Sequence, residues 1–151
     1  MEMIVHTLYH GSRSLELKVI EPRKETSRPG QGEPRIWVAT DPALAAVFSL
    51  PWASNKRTGA LWRRDKAWHF AYDATQIVVA VPARLYILGR LGALPDVGEG
   101  WFQRPADREG GWPHFYSLIP RPVLDSLFLS SIEEHLGTEG IVLHPHAGLL
   151  T

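Results

Sequence analysis

The chain has 151 residues, a length that predicts a single domain, residues 1–151, with a sizeable core. Lys plus Arg and Asp plus Glu both number 16, so the net charge is zero. This balance disfavours binding of nucleic acid by bulk charge but leaves a local basic patch possible. Cysteine is absent, which excludes disulfides, thiolate metal sites and a cysteine nucleophile. No apolar run is long enough for a membrane span and Met1–Tyr9 lacks a signal-peptide pattern, so we expect a cytoplasmic protein without a membrane partner.

The first part of the chain predicts strands separated by polar turns. An apolar, β-branched run predicts a strand at Met3–Tyr9, and His10-Gly11-Ser12 predicts a turn directly after it. Leu15–Ile20 predicts a short strand or a segment lining a loop. Glu21–Pro34 is polar and rich in Gly and Pro, which predicts a mobile loop. A second strand is predicted at Arg35–Thr40.

A helix start follows the second strand. Thr40 or Asp41 can cap it, and Pro42 suits the first helical position, so the helix is predicted to continue to Leu50. Pro51–Trp68 then mixes three Trp with five Lys or Arg. Such a mixture is typical of a surface for phosphates and bases, but Trp residues that pack on the core beside solvated charges are the more common arrangement.

The second half predicts further strands and one helix. Gln76–Val81 is uniformly apolar after its first residue, which predicts a strand buried on both faces, and Leu85–Leu88 extends that region. Ser130 or Ser131 can cap a helix at Ile132–Leu136 that ends at Gly137. The other predicted elements are strands at Trp68–Tyr72, His114–Leu118, Val123–Leu129 (or a helix lead-in) and Ile141–His144, and a loop at Gly89–Gly111.

These elements, six to eight short strands and two or three short helices, predict a compact α+β domain. Familiar motifs for a phosphate-binding loop, a dinucleotide-binding loop, a zinc protease and a serine hydrolase are missing. His144-Pro145-His146 has metal-ligand spacing but lacks a third ligand, so we expect no metal site.

Two segments taken in order resemble a known superfamily. Leu8-Tyr9-His10-Gly11-Ser12 is followed, after a polar loop, by Ile36-Trp37-Val38-Ala39-Thr40 and a helix that ends in Val47-Phe48. This order is similar to the ADP-ribosyltransferase superfamily, in particular its small bacterial members of the His-Tyr-acid kind, such as the rifampin ADP-ribosyltransferases. The likeness covers residues 8–50 well and residues 68–90 loosely. It implies split, mostly antiparallel sheets around an NAD cleft.

The resemblance also implies roles for individual residues. His10 would bind the nicotinamide-side ribose of NAD, and the backbone of Gly11 would hold the nicotinamide amide, beside Ser12. Trp37 stands where the family has a Tyr that stacks on nicotinamide. Phe48 would lie near the same pocket, and Thr40 would contribute to cofactor binding.

The family's catalytic acid has a less direct counterpart. Gln76 stands at the position of the usual Glu, at the head of the later strand, and it can exchange hydrogen bonds but supplies no negative charge. Loss of an oriented charge at a cationic transition state costs several kcal/mol. Asp73 or Asp96 could substitute for it.

The expected function is therefore transfer of ADP-ribose from NAD to a protein, nucleic-acid or small-molecule acceptor, with release of nicotinamide. A bacterial toxin with an antitoxin or immunity partner, or a drug-modifying enzyme, would fit. One alternative is a non-catalytic module that binds NAD or ADP-ribose. Another is a protein like the RNA 2′-phosphotransferases, which depend on Arg residues such as Arg57, Arg63 and Arg64 together with a His.

Overall fold

The computed structural model describes residues 6–23, 34–91, 100–103 and 114–151. Its two α-helices and eleven strands in these ranges form a single α+β domain with mostly antiparallel pairing, which confirms the predicted fold class. The elements are β1 (His6–Ser12), β2 (Val19–Ile20), β3 (Ile36–Ala39), α1 (Pro42–Phe48), a 3-10 turn (Ser54–Lys56), β4 (Gly59–Arg64), β5 (Ala67–Asp73), β6 (Ala83–Leu91), β7 (Trp101–Gln103), β8 (His114–Ser117), β9 (Arg121–Pro122), β10 (Asp125–Leu129), α2 (Ile132–Thr138) and β11 (Val142–His146).

The strands form three sheets. The largest has the order β10-β6-β1-β3-β8-β7, the second has the order β11-β5-β4, and β2 pairs with β9. Pairing is antiparallel throughout, except that β11 runs parallel to β5. The chain therefore reaches β11 through α2, as a parallel pair requires a crossover.

The largest sheet separates two hydrophobic clusters. The first cluster packs α1, α2 and the three-stranded sheet against one face and includes Leu44, Phe70 and Leu136. The second lies on the other face and includes Leu8 and Tyr86. Leu8 belongs to the second cluster while Tyr9 packs against the first, so β1 is a central strand with both faces in use.

Helix α1 begins where the sequence predicts. Asp41 is the N-cap, its carboxylate accepts the N–H of Ala43 at 2.8 Å, and Pro42 occupies the first helical position. The run Ala43–Val47 is fully buried, because this short helix lies between the two larger sheets. The position of α1 places Phe48 and Ser49 at its C-terminal end.

The predicted strand Gln76–Val81 is wrong. The segment is an irregular connection in which Ile77 and Val79 are buried while Val78 is 63% exposed. Its backbone N–H groups start a turn, because Gln76 and Ile77 both donate to the carbonyl of Asp73. An apolar run alone does not separate a strand from an extended connection that covers a helix.

Other boundaries also differ from the prediction. His10-Gly11-Ser12 continues β1 instead of forming a turn, since each pairs with a residue of β6. Helix α2 extends one residue past Gly137, and the glycine with positive φ after it is Gly140, at +79°. Part of the predicted loop at 89–111 is strand, in the end of β6 and in β7.

The Trp-rich segment follows the more common of its two interpretations. Trp52 and Trp68 pack against the first cluster, whereas Arg63, Arg64 and Lys66 are exposed. In the described ranges, no helix is long and apolar enough to cross a membrane.

Candidate functional site

The pairing between β1 and β3 is short. Within the described residues, Tyr9↔Ala39 is the one register pair between these strands, whereas β1 pairs with β6 from His6 to Ser12. Beyond that pair, a side chain joins the strands: the ring of His10 bonds the main chain of β3. Regular backbone pairing of the two strands therefore ends at the point where the sequence resemblance places the nicotinamide end of NAD.

His10 has a defined tautomer. Its Nδ1 lies 2.9 Å from the carbonyl oxygen of Trp37, which can only accept, so Nδ1 carries the proton and donates. Burial lowers the pKa of His10, and the positive charge of Arg23 lowers it further, against the opposing effect of the bond to Trp37. The ring is therefore neutral at pH 7, and Nε2 presents a lone pair that can accept a hydroxyl proton.

Gly11 is required by packing against α1. A Cβ at this position would lie 2.0 Å from the carbonyl oxygen of Ala45 and 3.2 Å from the Cβ of Ser49. From the sequence alone, this glycine is explained by close approach of a ligand to the backbone. In the structure, helix α1 occupies the space where a Cβ would lie. Any ligand contact at Gly11 is therefore confined to its backbone.

Aromatic side chains flank the separated strands. By the register of Tyr9↔Ala39, Trp37 lies on the same sheet face as Gly11, and His10 projects toward the opposite face. Phe48 is 42% exposed at the end of α1 and stacks on Trp52, with centroids 5.8 Å apart and planes at 27°. Gly11, Trp37 and Phe48 thus share one side of the sheet, whereas His10, which the resemblance places in the same pocket, projects toward the other side.

Asp73 and Gln76 form a closed hydrogen-bonded turn at the end of β5. One Asp73 oxygen accepts the N–H of Thr75 at 2.9 Å and its hydroxyl at 2.5 Å, and the other accepts the amide of Gln76 at 2.8 Å. The hydroxyl of Thr75 is the main cause that lowers the pKa of Asp73, so this buried carboxyl is ionised at neutral pH. Among the described residues, no hydrogen bond joins this turn to His10.

The turn is nevertheless connected to the segment that follows α1. The backbone N–H of Asp73 donates to the carbonyl of Thr58, and Thr58 in turn bonds the main chain of Ala53. Gly59 lies against the indole of Trp52, where a Cβ would come within 2.7 Å of a ring carbon. Within the turn, Asp73 accepts a hydrogen bond from the exposed side-chain amide of Gln76. The Oε1 of that amide can still act as an acceptor.

Thr40 and Asp96 are not placed with these residues. Thr40 lines a separate open cleft of about 560 Å³ at the start of α1, together with Arg63, Lys66, Trp68 and Glu139 among others. Asp96 lies outside the described residues, so its candidacy stays a prediction. Ser12 continues β1 beside Gly11 and its hydroxyl accepts the N–H of Ser14 at 3.0 Å.

The His144-Pro145-His146 motif lies on β11, away from the separated strands. The Nε2 of His144 is 3.0 Å from the Nδ1 of His69, so one ring donates to the other, and Trp62 stacks on both. In the part of the chain that the structure describes, three or more potential metal ligands do not come together.

Sequence reasoning missed three residues of this region. Arg23 influences His10 by charge, Ser49 lies against Gly11, and Tyr116 packs its ring against Trp37 with centroids 5.2 Å apart. The register of β8 against β3 determines the last contact, and no sequence motif predicts that register.

No family model, curated protein or solved structure matches the chain.

Proposed function

We propose that the chain is an NAD-dependent ADP-ribosyltransferase that binds the nicotinamide half of NAD where β1 and β3 separate. The observation that carries the proposal is the hydrogen bond from His10 to the carbonyl of Trp37. It sets a neutral imidazole with an acceptor nitrogen beside a strand pair whose backbone pairing is limited to one register pair. A ribose hydroxyl is the natural donor to such a nitrogen.

The remaining groups divide the binding work. Trp37 offers an aromatic face on the side of Gly11, and Phe48 offers a second, exposed ring from α1. Nicotinamide is a planar cation in NAD, so stacking on aromatic rings favours it. His10, which projects to the opposite face, would hold the ribose where the two strands are not paired, and the backbone at Gly11 would hold the amide.

Cleavage needs stabilisation of positive charge on the ribose. The bond between the ribose carbon and nicotinamide breaks with its electron pair leaving on nicotinamide, and an acceptor nucleophile then attacks that carbon. The resemblance alone assigns this stabilisation to Gln76, whose Oε1 is an acceptor without charge and whose amide is held by ionised Asp73. Because a neutral amide stabilises a cation less than a carboxylate does, we expect a slow transferase.

Nicotinamide release from NAD tests this function. Wild-type protein incubated with NAD should release nicotinamide, measured by chromatography, and His10→Ala should release at least tenfold less. His144→Ala removes an imidazole from the other sheet and serves as the matched control. Equal release by wild type and His10→Ala would refute the role of His10.

One observation favours a second function, a non-catalytic module that binds NAD or ADP-ribose. Both oxygens of Asp73 are used inside its own turn, so the carboxylate there is committed to structure. Calorimetric binding of NAD without nicotinamide release, in the presence of protein and nucleic-acid acceptors, would establish this module and exclude the transferase.

A further inference from the structure

A row of aromatic side chains extends from Trp37 across the edge of the largest sheet. Tyr116 on β8 lies opposite Trp37, and Phe102 on β7 lies opposite Tyr116. Opposite residues of antiparallel strands project to the same face. The ring centroids are 5.2 Å apart for Trp37 and Tyr116 and 5.4 Å apart for Tyr116 and Phe102. We call these three residues the aromatic row.

The aromatic row is outside both hydrophobic clusters. The residues that alternate with it along the same strands, Ile36, Phe115 and Trp101, belong to the second cluster on the other face. Phe102 is 45% exposed, and Trp37 and Tyr116 are half-buried. Three adjacent rings that support no core in the described part of the chain form a surface suited to planar ligands.

Arg35 adds positive charge to this surface. Its guanidinium carbon is 4.3 Å from the ring centroid of Tyr116 and 5.7 Å from that of Trp37. A guanidinium carries five N–H groups, so a phosphate can bind beside the contacts that Arg35 already makes. The backbone N–H of Arg23 donates to the carbonyl oxygen of Arg35 at 3.4 Å, whereas the charge of the Arg23 side chain acts on His10.

We propose that the aromatic row and Arg35 bind a single-stranded nucleic acid and present one of its bases as the acceptor of ADP-ribose. Stacked rings beside a cation that can bind phosphate are the two components by which proteins bind single strands. Binding of the strand is independent of the proposed function, whereas its role as the acceptor of ADP-ribose rests on that function. Trp37 belongs to both the aromatic row and the proposed nicotinamide site, which makes the two surfaces continuous.

The transfer is balanced without a further reactant. An N–H nitrogen of the base attacks the ribose carbon that carried nicotinamide, and a new carbon–nitrogen bond forms. The bond to nicotinamide breaks, with its electron pair leaving on that group. The proton of the base nitrogen passes to solvent, so NAD and the strand give the modified strand, nicotinamide and one proton.

The number of cations assigned to phosphates predicts how binding responds to salt, because the chain as a whole has no net charge. Only Arg35 is assigned to a phosphate, so we expect a slope of about −0.7 in the logarithmic plot of affinity against salt concentration. That slope corresponds to a loss of about 2.6-fold between 50 and 200 mM salt. Binding by bulk charge would show a far steeper loss.

Fluorescence anisotropy with labelled 12-nucleotide DNA and RNA strands tests the site. We expect Phe102→Ala and Tyr116→Ala to weaken single-strand binding by about 5- to 150-fold. Phe128→Ala is the matched control, because Phe128 is 47% exposed, has Arg84 at 5.4 Å and lies at the opposite edge of the same sheet. Absence of binding by wild type, or equal binding by wild type and Phe102→Ala, would overturn the proposal.

Added AMP, which carries the adenine of NAD but no nicotinamide, separates the two possible occupants of the aromatic row. Strand binding that AMP leaves unchanged supports the proposal, whereas competition by AMP would show that the row holds the adenine of NAD and would overturn it. Label from NAD found on the strand supports the acceptor assignment, and label found only on protein refutes it. Strand binding without any nicotinamide release would support the aromatic row as a nucleic-acid site and would refute the proposed transferase.

Discussion

Replacement of Gly11 by alanine tests how β1 is fixed against α1. The new Cβ would lie 2.0 Å from the carbonyl oxygen of Ala45 and 2.8 Å from its carbonyl carbon. Both atoms are backbone of a helix whose residues Ala43–Val47 are buried, so no flexible side chain can move aside. Either α1 or β1 must shift, and overpacking of this kind costs about 2–3 kcal/mol.

For a domain of this size, that loss corresponds to a fall in Tm of about 5–10 °C. Thermal unfolding followed by circular dichroism measures it. Gly137→Ala is the matched control: it lies in α2 with nothing within 4 Å of its Cβ position, so we expect it to raise stability by up to about 1 kcal/mol. If Gly11→Ala melted at the wild-type temperature, the packing of α1 against β1 described above would be wrong.

Three further outcomes follow from the same structure. Asp73→Asn removes an ionised acceptor of Thr75 and should lower the Tm. Because the pKa of Asp73 is lowered in the folded protein, its contribution to stability is complete above the ordinary value near 3.8 and is lost as the pH falls further. In melting curves from pH 7 to 2.5, the difference in Tm between Asp73→Asn and wild type should therefore close only in acid. Leu136→Ala should cost about 2–5 kcal/mol in urea unfolding, since this side chain is fully buried, and a cost below 1 kcal/mol would contradict its place in the core. NAD affinity should be constant from pH 8 to 7 and fall at acid pH, because protonation of His10 removes its acceptor nitrogen below a lowered pKa; tighter binding at pH 5 would contradict the neutral tautomer.

Local signals in the sequence predict much of the fold. Asp41-Pro42 marks the start of α1, and Ser131 caps α2, because a side-chain oxygen at the N-cap satisfies N–H groups that the helix leaves unpaired. The strands at Arg35–Thr40 and Trp68–Tyr72 are confirmed within one or two residues. Capping and hydrophobic periodicity depend only on residues close together in the chain, so they can be recognised from the sequence.

Long-range packing explains the failures. Gln76–Val81 is as apolar as a central strand, but its residues cover the helices from an irregular connection, and only tertiary structure decides between these outcomes. Gly11 has the composition of a turn, yet it is a strand residue that α1 requires to be small. The contacts of Trp37 with Tyr116 and of His10 with the chain at Trp37 depend on strand register, which residues 8–50 alone do not determine.

A calorimetric titration of NAD tests most directly whether the separated strands β1 and β3 bind this nucleotide. The account predicts one NAD per chain for the wild type and affinity roughly tenfold lower for Trp37→Ala, with Phe128→Ala unchanged. Melting curves of the three proteins would establish that each is folded. Absence of binding by the wild type, or equal affinity in wild type and Trp37→Ala, would contradict the account.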